Sequence, residues 1–169
     1  MTNSLIKDLN NNGVKAAKKG DFITAENEFK KAFYLNPLNQ GLLFNFIKVL
    51  HIQKKYSEII DIVQKTATKT RVKWDPSVLN LAGQSAIQLN NDNLAKEIYE
   101  ILNNKNPQNP SFALPLSQIF LKLGNLNKAI IVLKEAIKFN PNNLFILLAL
   151  LLSVAIVMAG GLSKIKRKI

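Results

Sequence analysis

The chain has 169 residues, of which 47% are hydrophobic and 20% charged, a balance that suits one globular domain. It contains no cysteine, which excludes disulfides and thiolate metal sites. The formal net charge is +12, and almost all of the excess cations are lysines, which favours acidic partners or anionic lipid surfaces.

The first predicted element belongs to a pattern of small and large apolar residues with a period of 34 residues, most visible between residues 76–109 and 110–143. The same offsets give a first copy at residues 6–39, with matches at Gly13, Ala25, Phe29, Ala32 and Pro37. Such a period is typical of stacked helix-turn-helix arrays. Each proline is expected to end a second helix, because it cannot continue the helical hydrogen bonds.

The second copy, residues 40–73, is degenerate, because Ile47, Ile59 and Arg71 replace the expected glycine, alanine and proline. Two apolar stripes at helical spacing still predict a helix pair there. Trp74 and Asp75 then form a two-residue insertion before the third copy begins.

The third copy, residues 76–109, matches the pattern at Leu79, Gly83, Ala95, Tyr99 and Pro107. The fourth, residues 110–143, matches at Ala129, Ala136 and Pro141, with Ser117 in place of the helix glycine. Pro115 is expected to make the first helix of that copy start late or bend. Three residues are predicted to cap second helices: Asp21, Asp92 and Asn125.

On these positions the chain resembles the tetratricopeptide repeat (TPR) family. The resemblance implies an all-α fold: a right-handed solenoid of about four helix-turn-helix repeats over residues 1–143. It also implies a chain that binds a protein or peptide partner, is not an enzyme and needs no cofactor. In some members a clamp of lysines, asparagines and an arginine holds the C-terminal carboxylates of chaperones. Only Asn45 matches that clamp, so chaperone tail binding is not expected.

The resemblance also places polar or large first-helix residues in a partner-binding groove. These are Lys7, Asn10, Phe44, Lys48, His51, Asn80, Gln84 and Gln118. Such a mildly basic, amide-rich face suits an extended peptide or a partner helix. The alternative is that these side chains are merely solvated.

Other kinds of site find little support in the sequence. His51 is the only histidine and cannot form a metal site without further ligands. Asp21, Glu26 and Glu28 lie close together, but a cap and a complement to the helix dipole explain them better than acid–base catalysis. Proteins that bind single strands interleave aromatics with cations to stack bases. Nucleic-acid binding is not expected here, because the aromatic residues fall on or near packing positions and are expected to be mostly core.

The C-terminal part changes character after Pro141. Residues 144–162 are apolar or small and carry no charge, and as a helix they would extend roughly 28 Å, close to the ~30 Å apolar core of a bilayer. They predict a transmembrane helix, followed by a basic tail at residues 163–169. The alternative is a fifth solenoid helix that caps the array, but a capping helix needs a polar outer face.

The sequence therefore predicts a single-pass, tail-anchored membrane protein with its repeats in the cytoplasm, because Met1–Asp8 lacks the apolar stretch of a secretory signal. In layout it resembles mitochondrial outer-membrane fission receptors and the membrane-bound TPR factors that assist photosystem assembly. The leading hypothesis is an adaptor that recruits a partner to a membrane. The alternative is an assembly factor for a membrane protein complex, photosystem-type or similar, whose client the anchor helix itself contacts.

Overall fold

The computed structural model describes the backbone of residues 2–70 and 74–166, and the side chains of residues 3–66 and 74–159. These residues form helices joined by turns, with no strand within the described ranges, so the predicted all-α fold is confirmed there. The chain divides into two units, Met1–Asn91 and Asp92–Ile169. The first unit contains α1 (Thr2–Lys18), α2 (Phe22–Leu35), α3 (Gln40–Ile52), α4 (Tyr56–Thr70) and α5 (Pro76–Gln88). The second contains α6 (Asp92–Lys105), α7 (Pro110–Lys122), α8 (Leu126–Phe139) and α9 (Leu144–Lys166).

The first helix pair, α1 and α2, is held close by small residues at the contact. Gly13 of α1 faces the ring of Phe29, and a Cβ at Gly13 would lie 2.6 Å from the Phe29 Cε1 atom. Ala25 and Ala32 of α2 are fully buried. The glycine and alanines of the repeat pattern therefore allow the helices to approach each other, as interiors packed to crystal-like density require.

The degenerate second copy does form a helix pair, α3 and α4. Ile47 and Ile59, which replace the expected small residues, are both fully buried. Phe46 and Leu50 of α3 are also fully buried and add to the same core. Burial of large apolar side chains therefore stabilises this pair where the usual small-residue contacts are missing. Residues 71–73, which end the predicted copy, lie outside the described residues.

The turn inside each repeat places one residue in the left-handed region of the backbone. These residues are Gly20 (φ 79°), Lys54 (φ 60°), Asn90 (φ 55°) and Gly124 (φ 73°). Glycine adopts this conformation without strain and asparagine at small cost, whereas lysine has a Cβ that crowds the backbone. The degenerate second copy therefore keeps the turn geometry of the array with an unfavourable residue.

The turns that follow α2, α6 and α8 share an Asn-Pro-x-Asn sequence. In each, the second asparagine caps the next helix: Asn39 accepts from the Leu42 N–H, Asn109 from that of Ser111 and Asn143 from that of Ile146. Side-chain caps of this kind satisfy N–H groups that lack helical partners. The turn before α9 therefore has the same cap as the turns before α3 and α7.

The structure corrects several local predictions. Asp21 does cap α2, since its carboxylate accepts from the Thr24 N–H at 3.0 Å. Asp92 is instead the first residue of α6 and lies in its first turn. Asn125 lies at the cap position of α8 but makes no side-chain capping bond. The predicted late start of α7 is wrong, because the helix begins at Pro110 and continues through Pro115.

Helix α9 packs on α7 and α8 as the first helix of a fifth repeat would. Ile146 of α9 is fully buried in a cluster with Ala113, Leu133 and Ala136. Among the described residues, none of the helices combines the length and apolar character needed to cross a membrane, so the predicted span over residues 144–162 lacks support there. The side chains of residues 160–162 and of the predicted basic tail lie outside the described residues.

Candidate functional site

The predicted groove residues lie on the first helices of the repeats. Lys7 and Asn10 are on α1, Phe44, Lys48 and His51 on α3, and Asn80 and Gln84 on α5. All seven belong to the first unit. Gln118 lies exposed on α7 in the second unit, so the site described here is formed without it.

Side-chain contacts join α1 to α3 on this face. The Asn45 amide donates to the side-chain oxygen of Asn10 at 2.9 Å. The ammonium of Lys48 lies 5.8 Å from the centre of the Phe44 ring, within the range of a cation–π contact. Asn10, Phe44 and Lys48 therefore have defined local partners, which argues against the alternative that they are merely solvated.

His51 joins α3 to α5. Its Nδ1 lies 3.3 Å from the hydroxyl oxygen of the fully buried Ser85. That hydroxyl donates to the Leu81 carbonyl at 2.8 Å, so its oxygen accepts from the histidine N–H. Tyr56 makes an edge contact with the imidazole, with ring centres 5.2 Å apart. Partial burial lowers the pKa of His51 below its ordinary value, which favours the neutral ring.

An apolar pocket lies between α1, the start of α2 and α3, and is called the α1–α3 pocket below. Its volume is about 330 Å³, near the lower end of ligand pockets at about 300–1,000 Å³. Its lining residues are Val14, Ala17, Lys18, Phe22, Phe29, Asn45, Lys48, Val49 and Ile52. A volume of this size suits one or two side chains of a partner.

The charge at the pocket is positive. Lys18 and Lys48 are exposed lining residues, and the lining contains no carboxylate. Within the described residues, neither lysine takes part in an ion pair. Both ammonium groups therefore remain available to a ligand.

The neighbouring acidic side chains have other partners. Glu26 accepts hydrogen bonds from Lys55 at 2.7 Å and from Gln53 at 2.6 Å. The same Gln53 amide donates to the carbonyl of Phe22, so this group fixes the start of α2 beside the pocket. Since Lys55 compensates Glu26, that carboxylate does little to offset the pocket lysines.

The other two members of the acidic trio also have structural roles. Hydrogen bonds from the Thr24 side chain and backbone lower the pKa of Asp21. Glu28 pairs with Lys31 at 3.0 Å on the same helix. In the part of the chain that the structure describes, no three potential metal ligands come together, at His51 or elsewhere.

The sequence pattern missed most of the α1–α3 pocket. Lys48 is the one lining residue that it placed in the groove. Val14, Val49 and Phe29 occur at spacings typical of core residues, and nothing in their type shows that a cavity opens between them. The cavity depends on how far α1 and α3 separate beside Phe22, which is a property of the assembled helices.

Comparison with known proteins supports the repeat fold. Residues 116–143 match a family model described as the tetratricopeptide repeat. The chain is similar to the crystal structure of a tetratricopeptide repeat protein from Parabacteroides merdae, with a TM-score of 0.77 and 19% identity over 86% of this chain and 57% of that one. The chain thus spans little more than half the length of that protein. No curated protein sequence matches.

Two further solved structures show the same fold. One is MamA, with a TM-score of 0.78 and 17% identity over 89% of this chain and 81% of that one. The other is YrrB, described as a TPR protein with an unusual peptide-binding site, with a TM-score of 0.74 and 13% identity over 89% of this chain and 76% of that one. At these identities the likeness shows the fold alone, and the fold is that of TPR proteins.

Proposed function

We propose that the chain is a non-enzymatic adaptor that binds an extended peptide segment of a partner protein in the α1–α3 pocket. An apolar side chain of the partner enters the pocket, and an adjacent carboxylate contacts the lysines at its rim. The observation that carries this proposal is an apolar cavity of about 330 Å³ whose lining has no acid and two lysines that form no ion pair within the described residues. YrrB, which has the same fold, is described as having an unusual peptide-binding site, and that supports this class of ligand.

The lysines would act by long-range attraction and by a short contact with the carboxylate. Charged groups at a rim mainly raise the association rate and suppress wrong partners. Most of the binding free energy is expected from the buried apolar side chain, because fully burying a Leu- or Phe-sized group contributes about 1.5–3 kcal/mol. The preferred segment is therefore one large apolar residue next to Asp, Glu or a C-terminal carboxylate.

Selection from a displayed random-peptide library on the full chain tests this proposal. We expect the bound peptides to share an apolar residue beside an acidic one. Lys48→Glu should abolish their selective capture. Lys30→Glu is the matched control, since it makes the same charge change at an exposed position of α2 outside the pocket. Peptides without this pattern, or equal capture by the two variants, would contradict the proposal.

The adaptor is further proposed to be held at a membrane through residues 144–162. The support is the uncharged apolar sequence of this segment and the four cations that follow it, Lys164, Lys166, Arg167 and Lys168. Confinement near a membrane raises the effective concentration of the adaptor for partners there without new contacts. The repeats and the partner then lie on the same side of the membrane. We propose that this is the cytoplasmic side.

Assembly of a membrane protein complex is a second candidate function. It is favoured by the exposed apolar side chains of α9, because such a factor needs a surface for a client helix. Replacing residues 144–162 by an unrelated poly-leucine anchor separates the two. An adaptor keeps its function in cells after this exchange, whereas an assembly factor loses it.

A further inference from the structure

Helix α9 has an inner face that is committed to the repeats. Ile146 and Ser153, two turns apart, are fully buried, and Ala149 and Leu150 pack against the cluster around Leu133. The Ser153 hydroxyl donates to the Ala149 carbonyl at 2.7 Å, so its polar group is satisfied within the helix. The Asn143 cap fixes the start of the helix at the end of the repeat array. The first part of α9 is therefore an integral part of the second unit.

The opposite side of α9, called the outer face, is apolar and bare. It consists of Leu144, Phe145, Leu148, Leu151 and Leu152. Phe145 is 74% exposed, Leu151 66% and Leu148 54%. Their spacing of three and four residues places them on one stripe along the helix. A contiguous apolar stripe of this kind marks an interaction surface, unlike single exposed apolar residues.

Charge in the sequence from α8 onward favours lipid over a second copy of the chain. From Leu126 to Ile169 the sequence has seven cations and a single acid, Glu135. Glu135 is paired with Lys138 at 2.6 Å. Clusters of lysine and arginine beside an apolar helix are attracted to anionic headgroups. Two copies that associated here would both carry this excess of positive charge, which opposes association.

We propose that α9 lies along the surface of an anionic membrane, with its outer face inserted among the lipids and its inner face still packed on α7 and α8. An isolated interfacial helix needs a polar face on the water side. Here α7 and α8 cover that side of the helix as far as Ser153 instead, and residues 154–159 beyond it are exposed. A helix that crossed the bilayer would have to leave α7 and α8, exposing Leu133, Ala136 and Ile146 together. This inference rests on the proposed membrane association and specifies its mode.

Flotation of the full chain with lipid vesicles tests the mode of binding. One set of vesicles contains phosphatidylcholine alone and the other equal parts of phosphatidylcholine and phosphatidylglycerol. We expect binding to the anionic vesicles only, with release in alkaline carbonate. Leu148→Glu with Leu151→Glu should weaken partitioning by at least about tenfold, because two apolar side chains leave the lipid.

Two further variants complete the design. Ile23→Glu is the matched control, since Ile23 is 73% exposed on α2 of the first unit, and this variant should leave partitioning unchanged. Changing Lys164, Lys166, Arg167 and Lys168 to glutamine should weaken partitioning by roughly a thousandfold, since each cation near an anionic surface contributes about 1 kcal/mol to binding. Helical circular dichroism and capture of the selected peptides serve as folding controls for all variants.

The results that would overturn this inference are distinct from failure of the adaptor. Resistance to carbonate would mean that the helix spans the bilayer. Absence of vesicle binding, or binding unchanged by the Leu148 and Leu151 variants, would also overturn it. A dimer that these two substitutions dissociate, with no vesicle binding, would assign the outer face to a second copy. Capture of peptides at the α1–α3 pocket is measured separately and would survive each of these outcomes.

Discussion

Substitution of Gly13 tests how the first repeat packs. An alanine in the middle of a helix normally stabilises it by about 0.5–1 kcal/mol relative to glycine. At Gly13 the added Cβ would lie 2.6 Å from Cε1 and 2.7 Å from Cδ1 of the Phe29 ring, closer than atoms can pack. Phe29 is almost fully buried and lines the α1–α3 pocket, so its ring has to shift to accept the added Cβ. Overpacking of this kind costs about 1–3 kcal/mol. We therefore expect Gly13→Ala to lower the free energy of unfolding by about 1 kcal/mol.

A double-mutant cycle with Phe29→Leu isolates the clash. Phe29→Leu alone should destabilise the protein, because it leaves space in the core. In that background Gly13→Ala should be stabilising by about 0.5–1 kcal/mol, since the ring that opposes the Cβ is gone. The measurement is urea unfolding followed by circular dichroism, with the slope and midpoint compared for all four proteins. If Gly13→Ala stabilises the wild-type and Phe29→Leu backgrounds equally, the close contact between Gly13 and Phe29 is not as described.

Three further predictions concern the pocket, the partly buried His51 and the strained turn. Replacing both Lys18 and Lys48 by glutamine should weaken binding of the selected peptides by about tenfold, measured by fluorescence anisotropy, and should remove most of its salt dependence. Because burial lowers the pKa of His51 in the folded state below 6.5, the unfolded chain takes up the proton first as the pH falls. The free energy of unfolding should therefore decrease from about pH 7 to about pH 5.5, and His51→Gln should make denaturant midpoints less sensitive to pH over that range. Lys54→Gly should raise the free energy of unfolding by about 0.5–1 kcal/mol, because φ is 60° there, whereas Lys54→Ala should give no such gain in urea melts.

The repeat pattern predicted the helix pairs because size alone sets the contacts it describes. Gly13 and Ala25 have to be small where two helices approach, and the structure places both at such contacts. The degenerate second copy was predicted from the helical spacing of its apolar residues, and that spacing suffices because Ile47 and Ile59 are buried in its core. The left-handed position at Lys54 was not predictable, because its residue type gives no sign of the turn geometry.

The composition of the C-terminal segment does not reveal that α9 has one buried and one exposed face. Residues 144–162 read as uniformly apolar, so the sequence does not distinguish a face in contact with lipid from one buried in protein. A signal was present in the preceding turn, because Asn140-Pro141-Asn142-Asn143 has the same Asn-Pro-x-Asn form as the turn ending at Asn109. Asn109 caps α7, the first helix of the fourth repeat, and Asn143 caps α9 in the same way. Helix α9 does pack on α7 and α8 as the first helix of a further repeat would.

The candidate site was only partly predictable for a related reason. The sequence identified Asn10, Lys48 and His51 as first-helix residues on one face, and the structure gives each a defined partner. The α1–α3 pocket itself depends on the distance between helices and on the position of Phe22, neither of which is encoded by residue type at a single position.

The central claim is that a partner peptide binds in the α1–α3 pocket, and methyl NMR of the full chain tests it most directly. Val14, Val49 and Ile52 line the pocket and carry the reporting methyl groups. Titration with a selected peptide should shift the methyl resonances of these three residues, and the shifts should saturate with the dissociation constant measured by anisotropy. Shifts confined to methyl groups outside the pocket, such as Leu148 on the outer face of α9, or no shifts at saturating peptide, would contradict the claim.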